Sequence, residues 1–291
     1  MTENDLSLEL APRVITHDLA ALSDRVPSEA RNLFIFGLGY TGTYIAQKLV
    51  DLGWRIGGTS RDPDTRDAMK ASEIEAFDFS ALDNKHIRQY DNFVVTIGPD
   101  RQSGQDPTLG EQGNLLAELG PRWIGYFSAT SVYGEVEGWI DEASPTEPTT
   151  ERGKRRLAVE RAWTGWAETN GINLSLLRLA GIYGPGKNIL EQLRAGTARV
   201  IDKPGHVFNR IHVEDIARSV LYRLATPAPV TIDNLADGQP MSQIDWTNKA
   251  AELLGMDAPS PIPFEQARAS LSPMGLSFWS ESRKIRASEF C

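Results

Sequence analysis

Three glycines carry the first chemical signal in this chain. Gly37, Gly39 and Gly42 stand as G-x-G-x-x-G after the apolar run Leu33-Phe34-Ile35-Phe36. They precede a stretch in which Tyr44, Ile45, Leu49 and Leu52 keep helical spacing. A glycine turn between a buried strand and a helix suits a dinucleotide. Gly37 permits the tight turn, Gly39 lets the backbone approach a diphosphate, and Gly42 lets the helix lie close to the strand. The helix start, with Tyr40, Thr41 and Gly42, offers free N–H groups and the positive end of a dipole to the phosphates. A turn without a ligand is the plainer reading of such a motif; the correct elements on both sides favour the nucleotide.

Arginines supply the second signal. Arg61 closes the strand-like run Trp54–Thr59, as Thr59-Ser60-Arg61. Enzymes that prefer NAD usually place an acid there for the ribose hydroxyls, whereas an arginine suits a 2′-phosphate. NADP is therefore expected before NAD, although Asp62 could take the ribose and a solvated loop arginine is common. Arg152 and Arg156, within ERGKRRLAVERAW, are four residues apart and share a helix face. With Lys154 and Arg155 they concentrate positive charge in a chain of net charge −9. They could clamp a carboxylate or phosphate, or form a solvated face with Arg156 paired to Glu160.

The elements that must position these residues alternate along the chain. Strand-like runs at Trp54–Thr59, Glu75–Phe77, Phe93–Ile97 and Trp123–Phe127 are separated by helical stretches at 64–70 and 109–119. This alternation predicts an α/β fold, a Rossmann-type doubly wound parallel sheet covered on both faces. Ligands of such sheets sit at the carboxyl ends of the strands, where strand order reverses. The glycine turn, Ser60-Arg61, Thr96-Ile97-Gly98 and Ser128 all fall at those ends. Asp78 and Phe79, after the third strand, are placed to flank an adenine. Residues 1–31 form an N-terminal extension, with a short helix near Asp18–Leu22, expected to be loosely held.

From SATSVYG, Ser128–Gly134, the chain resembles the extended short-chain dehydrogenase/reductase superfamily, in an atypical, NAD-dependent epimerase/dehydratase-like form. LRLAGIYGPG (177–186), RIHVEDIA (210–217) and the stretch 233–254 extend the likeness over most of residues 32–255. The resemblance implies a Rossmann domain of 32–182 and 211–235, and a small discontinuous substrate lobe of 183–210 and 236–291. It also implies chemistry by a Ser or Thr and a YxxxK helix. Aligning Glu160 with the family's glutamate puts Arg152 at the tyrosine position and Arg156 at the lysine position, with Ala129 at the hydroxyl position. An arginine keeps its proton and cannot serve as a general acid/base.

Three readings follow. A neighbouring hydroxyl carries the proton, with Thr130 and Tyr133 the catalytic candidates and Ser131 and Tyr183 beside them. Alternatively, Arg152, Arg156 and Tyr183 hold an anionic substrate whose chemistry needs no tyrosine. In the third reading the protein is a catalytically inactive NADP(H)-binding redox sensor or scaffold. For Tyr133 and Tyr183 the plainer reading is packing beside glycine turns. Lys187 and the tail residues Ser282, Arg283, Lys284 and Arg286 are either substrate contacts or solvated charges.

Composition narrows the class. The negative net charge argues against binding a phosphate backbone. The four histidines show no metal-site spacing, and the single cysteine, Cys291, cannot form an internal disulfide. No run is apolar enough to span a membrane, and the opening MTENDLSLEL lacks the layout of a signal peptide. The expectation is a cytoplasmic, NADP-dependent oxidoreductase or epimerase-like enzyme with a non-standard active site. It acts on a small sugar-like or anionic molecule, without a metal, nucleic acid or membrane partner; a homodimer is left open.

Overall fold

The computed structural model describes residues 18–290. Its centre is a parallel sheet of seven strands: β1 (Asn32–Phe36), β2 (Arg55–Thr59), β3 (Glu75–Phe77), β4 (Asn92–Val95), β5 (Trp123–Ala129), β6 (Leu174–Leu179) and β7 (Val230–Leu235). Their order is β7-β6-β5-β4-β1-β2-β3. The chain lays β1 to β3 toward one edge and then returns to start β4 on the other side of β1. Order therefore reverses between β1 and β4, where Ile35 is in register with Val94.

β1 shows why the sheet must be covered twice. Its five residues are all buried, and successive side chains point to opposite faces. Leu33 and Ile35 join a cluster with Ile45 and Leu49 of α2 (Tyr40–Val50) and with Val220 and Leu224 of α6 (Val213–Ala225). Phe34 and Phe36 join the opposite cluster, with Leu116 of α4 (Pro107–Leu119) and Trp163 of α5 (Glu151–Asn170).

The short helix expected near Asp18–Leu22 is α1, Leu19–Asp24. It is not loosely held: Leu22 and Val26 are each only 1% exposed. Trp54 also donates its indole N–H to Ser23 Oγ at 2.8 Å. The rest of the expected extension, 1–17, lies outside the described residues.

α5 is longer than its basic segment suggested. Thr150 caps it by accepting from Gly153 N at 3.1 Å, and it runs through Gly165 to a left-handed Gly171. A mid-helix glycine costs about 1 kcal/mol. Burial of Trp163 against Tyr126, ring centroids 6.0 Å apart, opposes that cost.

Beyond Tyr183 the chain builds two smaller clusters. One gathers Leu193, Ala250 and Ala251; the other gathers Ile201, Ala267 and Trp279. The tail then returns to the larger body. Lys284–Ile285 pairs with Trp139–Ile140, Ser288 N donates to Asn234 O at 3.0 Å, and Phe290 stacks on Tyr222. Among the described residues no helix is long and apolar enough to cross a membrane.

Candidate functional site

The glycine turn sits at the β1/β4 crevice, and its three glycines differ in what surrounds them. Gly37 has φ +107, and a Cβ there would lie 2.4 Å from Thr96 Oγ1. A Cβ on Gly42 would lie 2.2 Å from Gly37 O, so this glycine lets α2 approach its own turn. A Cβ on Gly39 would meet no described residue within 4 Å. Its backbone is extended (φ −85, ψ −167), and no described side chain caps the first turn of α2. The first amides of a helix have no partner within it. Gly39 therefore leaves room for something other than protein, in front of unclaimed donors.

At the far end of β2, Ser60, Arg61, Asp78 and Phe79 converge. Arg61 is exposed. Asp62 accepts from Thr65 N at 3.1 Å, capping α3 (Pro63–Ala71). Asp78 accepts from Ser80 N and Oγ, and these bonds, ahead of Arg66, hold its carboxyl below the usual range. Arg66, which sequence reasoning missed, donates to Ser60 O at 2.7 Å and to Asp78 Oδ2 at 3.1 Å. The available signal was the cap itself: Asp62 starting a helix at Pro63 turns the residue four further on back toward the strand end.

The ends of β4 and β5 complete the groove. Thr96 Oγ1 donates to Gly37 O at 2.7 Å, tying β4 to the turn, while Ile97 packs partly buried against the second core. Gly98 lies beside Arg156, whose Nη2 would be 3.0 Å from a Cβ placed there. Ser128 borders the groove, but its hydroxyl donates to Glu160 Oε1 at 2.5 Å. Glu160 also takes a two-pronged contact from Arg178, at 3.0 and 2.7 Å, inside the core. Arg156 is thus not paired with Glu160. It donates to Tyr126 Oη at 2.8 Å and to Phe127 O at 2.9 Å.

Two proposed roles do not match the positions found. Tyr133 borders neither cavity described below. It is fully buried, donates to Asn234 Oδ1 at 2.8 Å and accepts from Arg178 Nη1 at 2.8 Å. Burial raises its pKa, and the phenol is spent on the core. Tyr183 also faces elsewhere, edge-on to His212 and Trp246 at 5.1 and 5.3 Å; its neighbour Ile182 reaches the groove instead.

Two adjoining cavities remain. The first, about 290 Å³, is bordered by Gly39, Tyr40, Thr41, Gly42, Thr96, Ser128 and, among the described residues, three cations, Arg152, Arg156 and Lys187, with no Asp or Glu. The loop carrying Lys187 is held down where Tyr40 donates to Pro185 O at 3.0 Å. The second, about 130 Å³, shares Arg152, Ala129, Leu179 and Ala180 with the first. Thr130, Ser131, Phe278, Glu281 and Arg283 lie on its far wall. Of the basic tail only Arg283 borders it. Ser282 accepts from Val207 N, Lys284 is exposed, and Arg286 lies over Trp139.

Comparison with known proteins adds an independent line. The model of the NAD dependent epimerase/dehydratase family matches residues 114–233. Protein YeeZ of Escherichia coli K12 is 29% identical over 247 residues, covering 79% of this chain and 86% of that protein. The solved structure of a conserved Silicibacter pomeroyi protein of unknown function is 39% identical, with TM-score 0.81 over 89% of this chain and 90% of that one. A dTDP-glucose 4,6-dehydratase from Streptomyces venezuelae, solved with NAD bound, shares the fold at TM-score 0.67 and 15% identity, covering 89% of each chain.

Proposed function

We propose that the chain, whose residues 114–233 match the NAD dependent epimerase/dehydratase family model, binds a pyridine dinucleotide across the β1/β4 crevice, NADP before NAD. One observation carries this reading: a groove bordered, among the described residues, by three cations and no acid opens onto the start of α2, which no described side chain caps, in a chain of net charge −9. Gly37, Gly39, Tyr40, Thr41 and Gly42 would meet the diphosphate. Ser60, Arg61, Asp78 and Phe79 would meet the adenosine, and Thr96, Ile97, Gly98 and Ser128 would border the rest. NADP is preferred because Arg61 is exposed beside the ribose position while Asp62 is committed to its helix cap. Arg66 adds a second guanidinium there.

The bound nicotinamide would supply hydride exchange. The chain's own residues would hold a small sugar-like or anionic substrate through Arg152 and Arg156. Neither arginine can move a proton at ordinary pH. With Tyr133 withdrawn into the core, Thr130 and its neighbour Ser131 are the hydroxyls left to relay one. The single cysteine suits a reducing compartment, so we place the protein in the cytoplasm.

Calorimetric titration with NADPH and NADH tests the cofactor. Arg61→Ala should weaken NADPH about ten-fold while changing NADH little; equal losses would overturn the choice of NADP, and binding of neither would overturn the reading entirely. The withdrawal of Tyr133 favours a second reading, a nucleotide-dependent sensor or scaffold. Oxidation of NADPH with any of a panel of carbonyl compounds would sink it. Tight NADPH binding without turnover, with a partner protein sensitive to the cofactor's redox state, would support it.

A further inference from the structure

We infer that the 130 Å³ cavity is a binding site for a small, flat monocarboxylate and that it excludes nucleotide sugars; this rests on the nucleotide reading above. Charge decides the first part. The charged residues that border this cavity are Arg152, Glu281 and Arg283. Glu281 and Arg283 neutralise each other through a contact of 2.5 Å. Burial alone would raise the Glu281 pKa, but bonds from Thr149, at 3.2 and 2.6 Å, and from Arg283 outweigh it and keep the carboxylate ionised. Arg283 is further spent on Thr130 O at 2.6 Å. Arg152 has no hydrogen bond or ion pair to any described residue, and its guanidinium lies 4.8 Å from the centre of the Phe278 ring. The cavity thus holds one uncompensated positive charge, with the guanidinium of Arg156 nearby. A single negative charge relieves it.

Shape and size decide the rest. A guanidinium offers two parallel donors in the geometry of a carboxylate, and Ser131 adds a buried hydroxyl without a partner among the described residues. Phe278 gives a flat apolar wall beside these donors. A void of about 150 Å³ accommodates one benzene ring, whereas drug-sized ligands need about 300–1,000 Å³. A ring or short chain bearing one carboxylate fits; a sugar joined to a nucleoside diphosphate does not. The position also suits the proposed chemistry, because this cavity opens into the groove at Ala129 and Arg152.

The test is calorimetric titration of benzoate, pyruvate, inorganic phosphate and UDP-glucose into NADPH-saturated protein, repeated on nucleotide-free protein. One-to-one binding of benzoate or pyruvate, with no detectable binding of phosphate or UDP-glucose, is expected. Arg152→Met should weaken the carboxylate about ten-fold or more. Arg152→Lys, which keeps the charge but loses the fork, should weaken it less. Melting temperatures of both variants establish that they fold. The inference is overturned if neither carboxylate binds in either state, if Arg152→Met binds as tightly as the parent, or if phosphate or UDP-glucose binds more tightly than the carboxylates. Failure of NADPH to bind sinks the nucleotide reading alone, since the titrations on nucleotide-free protein still decide this one.

Discussion

Gly37, Gly39 and Gly42 occupy one motif, yet three different constraints act on them. Gly37 needs its positive φ and Gly42 needs the absence of a Cβ beside a carbonyl, so both serve the fold. At Gly39 the backbone is extended and the space in front is open, so the protein itself does not require a glycine. Gly39→Val should therefore melt within a few degrees of the parent while losing NADPH affinity at least ten-fold. Gly42→Ala should lower the melting temperature, because the new Cβ meets a backbone carbonyl. If Gly39→Val unfolds the protein or leaves NADPH binding intact, the turn is a structural device only. The same separation applies to the arginines: Arg178 serves the core, Arg156 braces the end of β5, and Arg152 lies over Phe278 without a hydrogen bond or ion pair to any described residue.

At the level of elements, one buried network joins α5 to β5, β6 and β7. Glu160 receives Ser128 from β5 and Arg178 from β6; Arg178 reaches Tyr133, and Tyr133 reaches Asn234 on β7. These contacts fix where β5 ends, and hence where Ala129 and Thr130 enter the cavities. Arg178 and Glu160 have side-chain exposures of 4% and 3%. Removing one partner of such a pair leaves an uncompensated buried charge, at a cost of about 3–5 kcal/mol. Glu160→Gln should show a loss of that order in urea unfolding. A loss below about 1 kcal/mol would mean that the network does not hold these elements together.

For the whole molecule, pH is the informative variable. His206 packs against Phe208 and Trp279 in the smaller body, and its Nε2 is buried without a partner among the described residues. Burial first, then Lys203 and Arg283, pull its pKa from 6.5 to about 4. The folded state therefore binds this proton less readily than the unfolded chain. Its stability contribution is full above about pH 6.5 and is lost as pH falls toward about 4. Asp237 acts with the opposite sign: burial raises its pKa to about 6, so its folded form favours the proton and stability falls as pH rises through that range. His206→Phe removes only the first effect. Scanning calorimetry at pH 7.5 and 5.0 should show a smaller acid-induced drop in melting temperature for the variant than for the parent. Equal drops would place the titrating group elsewhere.

Much of the architecture was legible because it is written in local periodicity. The apolar residues of β1 demand two covered faces, the glycine spacing marks a tight turn into a helix, and alternating strand and helix runs imply a parallel sheet. The permanent cation at Arg152 was also visible from its place in the helix. The destinations of side chains were not. Tyr133 turns inward because Asn234, 101 positions away, and Arg178 meet its hydroxyl. Tyr183 turns to Trp246, Arg66 folds back onto Ser60 and Asp78, and Glu281 cancels Arg283. Period and turn chemistry act over a few residues and survive in any context that folds. Which charge is cancelled and which phenol is spent depends on partners that only the assembled sheet and its returning tail bring together.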